Sequence, residues 1–89
     1  MTAKSPPSYE SYLKIPELTG IQAPLAEPSV HDEMQFIVVH QTYELWFKLL
    51  THEIQAMIAF LKKGNLPQSI WIIKRCNEIT RVLNQQILV

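Results

Sequence analysis

The sequence predicts an all-α fold: an N-terminal arm and loop, then two long antiparallel helices that form part of a larger helical bundle. Three observations carry that expectation. Apolar residues recur at alternating steps of three and four through the middle of the chain, start and stop signals bracket that stretch, and a second stretch of the same period follows a tight turn.

Taken in order, residues 1–8 are rich in Ser and Pro and are expected to be a disordered or extended tail. Residues 9–29 read as an arm and loop. Tyr9, Tyr12 and Leu13 stand at i, i+3 and i+4, one face of a short helix, before Pro16 breaks or restarts it. Such an arm is either pinned to the main body by its two aromatics or free to bring phenol hydroxyls over a pocket. Pro16, Gly20, Pro24 and Pro28, with Leu18, Ile21 and Leu25 between them, describe an ordered connection running over an apolar surface.

The long helix is expected over residues 30–63, about 50 Å at ~1.5 Å per residue. Phe36, Val39, Tyr43, Phe47, Leu50, Ile54, Met57 and Leu61 form its stripe, and Leu45, Trp46, Leu49 and Ile58 add apolar surface on other faces. Ser29 and Asp32 have the spacing that lets two side chains satisfy free amides of a first turn. Lys62 and Lys63 suit the negative end of the helix dipole, and Gly64 tolerates the positive φ of a stop. Gly64-Asn-Leu-Pro67 then makes the turn into a second helix over residues 66–89, where Ile72, Cys76, Ile79, Leu83 and Ile87 form the stripe. Two helices cannot bury stripes this wide, and the pattern is still running at Leu88-Val89. The expectation is a single N-terminal segment, incomplete as a domain, whose apolar faces are covered by self-association or by the rest of a longer protein.

Eight basic and eight acidic residues are interspersed and the formal net charge is zero, so no electrostatic footprint for nucleic acid or an anionic membrane exists. Neither an apolar signal segment nor a run of ~18 apolar residues is present, from which we expect a cytoplasmic protein. The lone Cys76 has no partner for an internal disulfide and suits a buried helical position better than a reactive thiol.

Few side chains suggest chemistry. His40 sits among Phe36, Ile37, Val38 and Val39, so it is expected to be buried and hydrogen-bonded or to face a cavity. Glu33, His40 and Glu44 align at i, i+7 and i+11, a weak pattern for a carboxylate-bridged metal bundle. Such a bundle wants Glu-x-x-His, which neither His40 nor His52 provides, and no metal site is assigned. His52-Glu53 begins like a zinc-protease motif, but Gln55-Ala56 replaces its second histidine. Trp46 and Trp71 suit anchoring of the hairpin better than ligand stacking.

Three blocks resemble the N-terminal part of the tryptophan 2,3-dioxygenase family. They are Tyr9-Glu-Ser-Tyr12-Leu13 with Gln22 and Pro24-Leu25 downstream; the continuous run from His31 to Lys48, which includes Phe36, His40-Gln-Thr-Tyr-Glu and Leu45-Trp46; and Val82-Leu-Asn-Gln85-Gln86. The likeness runs from Tyr9 to the last residue, and Pro16 departs from the acidic or polar residue usual there. The resemblance implies a haem enzyme that inserts both atoms of O₂ at the indole C2–C3 bond of L-tryptophan to give N-formylkynurenine, the entry into tryptophan catabolism. It implies that His40 is the catalytic distal-pocket residue, accepting the indole N–H without ligating iron, and that Phe36 packs against the substrate ring. By the same resemblance, Tyr9, Tyr12 and Leu13 form the arm that reaches a neighbouring subunit's site in a homotetramer. The family's proximal haem ligand and its arginine for the substrate carboxylate match no residue of this chain, which alone is not expected to be a competent dioxygenase. The alternative is a short non-catalytic relative acting as a helical oligomerisation or weak ligand-binding module.

Overall fold

The computed structural model describes residues 6–86 and is built of helices: α1 (Tyr9–Tyr12), α2 (Ile15–Thr19), α3 (Glu33–Lys62) and α4 (Leu66–Gln86). The expected tail is described only from Pro6, and the last positions of the second stripe, Ile87 to Val89, lie outside the described residues. Among the described residues no helix is long and apolar enough to cross a membrane. The chain divides into two compact units, one up to Ile37 and one from Val38.

In the first unit, α1 is a single capped turn. The Ser8 hydroxyl accepts the Ser11 amide at 3.1 Å, satisfying one of the donors that a helix start leaves free. Lys14 then takes a left-handed conformation, φ 55°, and the chain re-enters helix at once. Pro16 therefore restarts the helix. It stands in the first turn of α2, where a missing N–H costs nothing, so Ile15–Thr19 is helical where the sequence suggested a connecting loop. Thr19 donates its hydroxyl back to the Ile15 carbonyl at 2.8 Å. From Ile21 to Asp32 there is no regular structure beyond turns and bends.

α3 begins at Glu33, later than the expected Val30. Residues 31 and 32 form a turn, and the first α-type bond runs from the Phe36 amide to the Asp32 carbonyl. Its far end closes as the stop residues predicted. Gly64 adopts φ 73°, its amide bonds to the Leu61 carbonyl, and the Asn65 amide reaches the Phe60 carbonyl at 2.8 Å, the paired bonds of a Schellman cap. Asn65 at once caps α4, its side-chain oxygen accepting the Gln68 amide at 3.3 Å. One residue pair thus ends one helix and starts the next.

The second unit is an antiparallel hairpin of α3, from Val38 on, and α4. Its core holds Ile72, Ile79 and Leu83, with Cys76 half-buried on the same stripe. Removing each buried side chain from water stabilises the hairpin by roughly 1.5–3 kcal/mol. Three interhelical links set the register. The Tyr43 hydroxyl donates to the Leu83 carbonyl at 3.1 Å, Gln86 donates to the Val39 carbonyl and to the Thr42 hydroxyl, and Arg75 pairs with Glu53 at 3.1 Å.

The buried line of α3 is not the expected stripe. Phe47, Ile54 and Leu61 are close to half exposed, while Trp46, Glu53 and Phe60 are less accessible and join Val39, Tyr43, Leu50 and Met57. A helix apolar on several faces has no unique seam, and pairing with α4 selects one rotated from the most hydrophobic direction. Trp71 does not anchor the hairpin either: it is 60% exposed, because its neighbour Ile72 takes the inward position.

Candidate functional site

Phe36 and His40 stand one turn apart on α3 and therefore share a face. Both are exposed, Phe36 to 62%. The expectation that His40 is buried and hydrogen-bonded or faces a cavity is corrected as to burial: α4 reaches this segment on the side of Val39 and Thr42, through Gln86, while the His40 imidazole lies on accessible surface. The pair combines a broad apolar ring with a side chain whose neutral form offers one nitrogen donor and one nitrogen acceptor.

The remaining sequence-derived residues occupy a different element. Tyr9 and Tyr12 lie on α1 and Leu13 caps it, its amide bonding to the Tyr9 carbonyl at 3.0 Å. The tyrosines are 74% and 72% exposed, so their rings are not pinned in a core. Glu33, which the sequence aligned with His40 and Glu44, is committed elsewhere. Its two carboxylate oxygens accept the amides of Leu25, at 3.0 Å, and Ala26, at 3.1 Å. Among the described residues no group of three or more His, Cys, Asp or Glu side chains converges as a metal site would require. His31, His40 and His52 are all exposed and spread along the chain.

Two features escaped the sequence. Glu53 is only 7% exposed and receives the Arg75 guanidinium, which also lies over the Trp71 ring, 5.9 Å from its centroid. Trp71, Lys74, Arg75 and Glu78 border a shallow recess of about 300 Å³, and Thr42, Leu45, Trp46 and Leu49 border one of about 340 Å³. The signal for the ion pair was available: Glu53 and Arg75 are equidistant from Gly64 in sequence, where a tight antiparallel turn brings residues face to face.

The tryptophan 2,3-dioxygenase family profile matches residues 1–89, the whole chain. The chain belongs to the tryptophan 2,3-dioxygenase family. Tryptophan 2,3-dioxygenases of Arthrobacter sp. (strain FB24), Xanthomonas campestris pv. campestris (strain B100) and Xanthomonas oryzae pv. oryzae (strain PXO99A) are each 43% identical to it over 79 residues, 89% of this chain. The match covers 28%, 26% and 27% of those relatives, so the chain spans little more than a quarter of the length of the tryptophan 2,3-dioxygenases it resembles.

Proposed function

We propose that this chain forms one wall of the substrate pocket of a haem-dependent tryptophan dioxygenase and contributes the arm that closes the pocket of a neighbouring subunit. The observation that carries the reading is the Phe36–His40 pair, exposed one turn apart on α3 of a chain whose entire length matches the family. Indole presents one donor, its ring N–H, and a flat apolar surface. A neutral imidazole nitrogen of His40 accepts that hydrogen and fixes the rotation of the ring, while Phe36 packs on its face and excludes water. Tyr9, Tyr12 and Leu13 supply the closing surface, which their exposure in a single chain leaves available. Haem and O₂ are the cofactor and co-substrate of this reading, and N-formylkynurenine its product. No residue of this chain is assigned to hold the iron.

The test is substitution in the complete dioxygenase containing this chain, with tryptophan and N1-methyltryptophan compared. His40→Ala is expected to lower kcat/KM for tryptophan roughly tenfold to a hundredfold, the cost of leaving a buried donor unpaired. The same change should matter far less for the methylated substrate, which has no N–H to place. Equal losses on both substrates would remove His40 from the role of indole acceptor.

A second reading has its own observation. Leu45, Phe47 and Ile58 on α3 and Trp71 and Ile73 on α4 are all more than 40% exposed, as expected of a helical module that associates with itself or binds a ligand weakly without catalysis. A Soret band together with tryptophan turnover in the purified chain would dispose of it.

A further inference from the structure

Between Ile21 and Asp32 the backbone has no helix or strand to satisfy its amides, and two consecutive amides, those of Leu25 and Ala26, turn to a single acceptor. Each donates to a different oxygen of the Glu33 carboxylate, at 3.0 and 3.1 Å. Hydrogen bonds to an ionised acceptor are stronger than neutral ones, and two to one rigid carboxylate fix direction as well as distance. Among the described residues packing does little to hold Leu25, whose side chain is 85% exposed. Glu33 is also the first residue of α3, one turn before Phe36, so whatever it grips is held in register with that ring.

We propose that Glu33 is a positioning residue for the substrate site: its carboxylate clasps the Leu25–Ala26 backbone and so fixes where the chain bearing Tyr9, Tyr12 and Leu13 leaves α3 relative to Phe36. The proposal rests on the reading of Phe36 and the arm as substrate-contacting. Chemistry at the carboxylate dictates the residue type. Aspartate falls one methylene short of the loop. Glutamine keeps one acceptor but turns an amide NH₂ toward a backbone N–H, so one of the two bonds becomes a donor facing a donor. Alanine removes both.

Two measurements on Glu33→Gln and Glu33→Ala test it, the second in parallel with Phe36→Ala. Hydrogen exchange on the full chain should show the Leu25 and Ala26 amides about tenfold less protected in Glu33→Ala, with Glu33→Gln between it and the parent. Amides of the α3–α4 hairpin should be unchanged, which certifies the fold. In the complete dioxygenase, both variants should raise KM for tryptophan severalfold with kcat nearly constant, the signature of lost binding geometry rather than lost chemistry. Unchanged exchange at Leu25 and Ala26 overturns the clasp. Faster exchange with unchanged KM, while Phe36→Ala does raise KM, overturns the positioning role alone. If Phe36→Ala also leaves KM unchanged, the substrate-site reading fails and the positioning role with it.

Discussion

The two units of the chain are held together by different physics. Up to Ile37 the structural contacts are short in sequence and polar: Ser8 to Ser11, Thr19 to Ile15, Glu33 to Leu25 eight positions away. From Val38 on, the defining contacts join residues 22 to 47 positions apart, and every buried side chain among the described residues lies there. Order in the first unit depends on individual hydrogen bonds, each worth about 1 kcal/mol net, and it can be lost piecemeal. The hairpin buries apolar surface jointly, so its residues gain or lose order together. Segments with no buried side chain lie at the low-stability end of a structure, and α1 is one of them.

The sharpest way to break the comparison is to truncate one apolar side chain in each unit. Ile79→Ala deletes a residue only 5% exposed and should destabilise the hairpin by about 2–5 kcal/mol. Leu18→Ala, at a position 37% exposed, should fall within roughly 0.5 kcal/mol of the parent. Urea unfolding followed by far-ultraviolet circular dichroism measures both. Midpoints displaced equally by the two changes would mean that the units are one cooperative structure.

Next in size is the ion pair. Its two ends differ in exposure, the Glu53 side chain 9% and that of Arg75 46%, so the two truncations are not equivalent. Arg75→Ala strands a carboxylate out of water and should cost about 2–3 kcal/mol, whereas Glu53→Gln leaves a guanidinium that can turn to solvent and should cost about 1 kcal/mol. The same unfolding experiment orders them. A larger loss for Glu53→Gln would show that the unpaired guanidinium, not the unpaired carboxylate, carries the greater cost.

The ion pair also marks where the sequence was silent. The helix period, the Gly64 stop and the Asn65-to-Pro67 start were legible because each is a local signal with a local cause: spacing, left-handed φ, a capping amide. The seam of α3 was not, because Leu45, Phe47, Ile54 and Ile58 make the helix apolar all round, and only the partner decides which side is buried. Glu53 was missed for the complementary reason. A carboxylate is taken as a surface residue until its counter-ion across the turn is seen. Of the candidate site, the shared face of Phe36 and His40 followed from spacing alone, while the accessibility of His40 depends on which side of α3 faces α4, the side of Val39 and Thr42, which no local pattern encodes.

Gly64 tests the turn that makes the hairpin possible. An added Cβ would meet no atom within 4 Å, so Gly64→Ala probes conformational strain without a clash. Holding a non-glycine residue at φ 73° should cost about 1–2 kcal/mol, read again from the urea midpoint. Gly64→Asn should recover part of that, since its short polar side chain tolerates the left-handed region. Equal losses for alanine and asparagine would show that the side chain of asparagine gives no relief at this φ, since restricting the unfolded chain acts in the opposite, stabilising direction.

The smallest effect is the most informative about the arm. Ser8→Ala removes the hydroxyl that accepts the Ser11 amide of α1, a cap usually worth about 1 kcal/mol to the helix it starts. Here α1 has four residues and no buried side chain, so that energy has nothing cooperative to act on. The urea midpoint of the hairpin should stay where it is, within about 0.3 kcal/mol. The Ser11 and Tyr12 amides should nevertheless exchange faster, the latter because its bond to the Ser8 carbonyl depends on the same turn. Loss of the local protection without loss of stability is what a locally held, non-cooperative turn requires. A coupled fall in both would tie α1 to the hairpin and remove the physical basis for treating the arm as separately mobile.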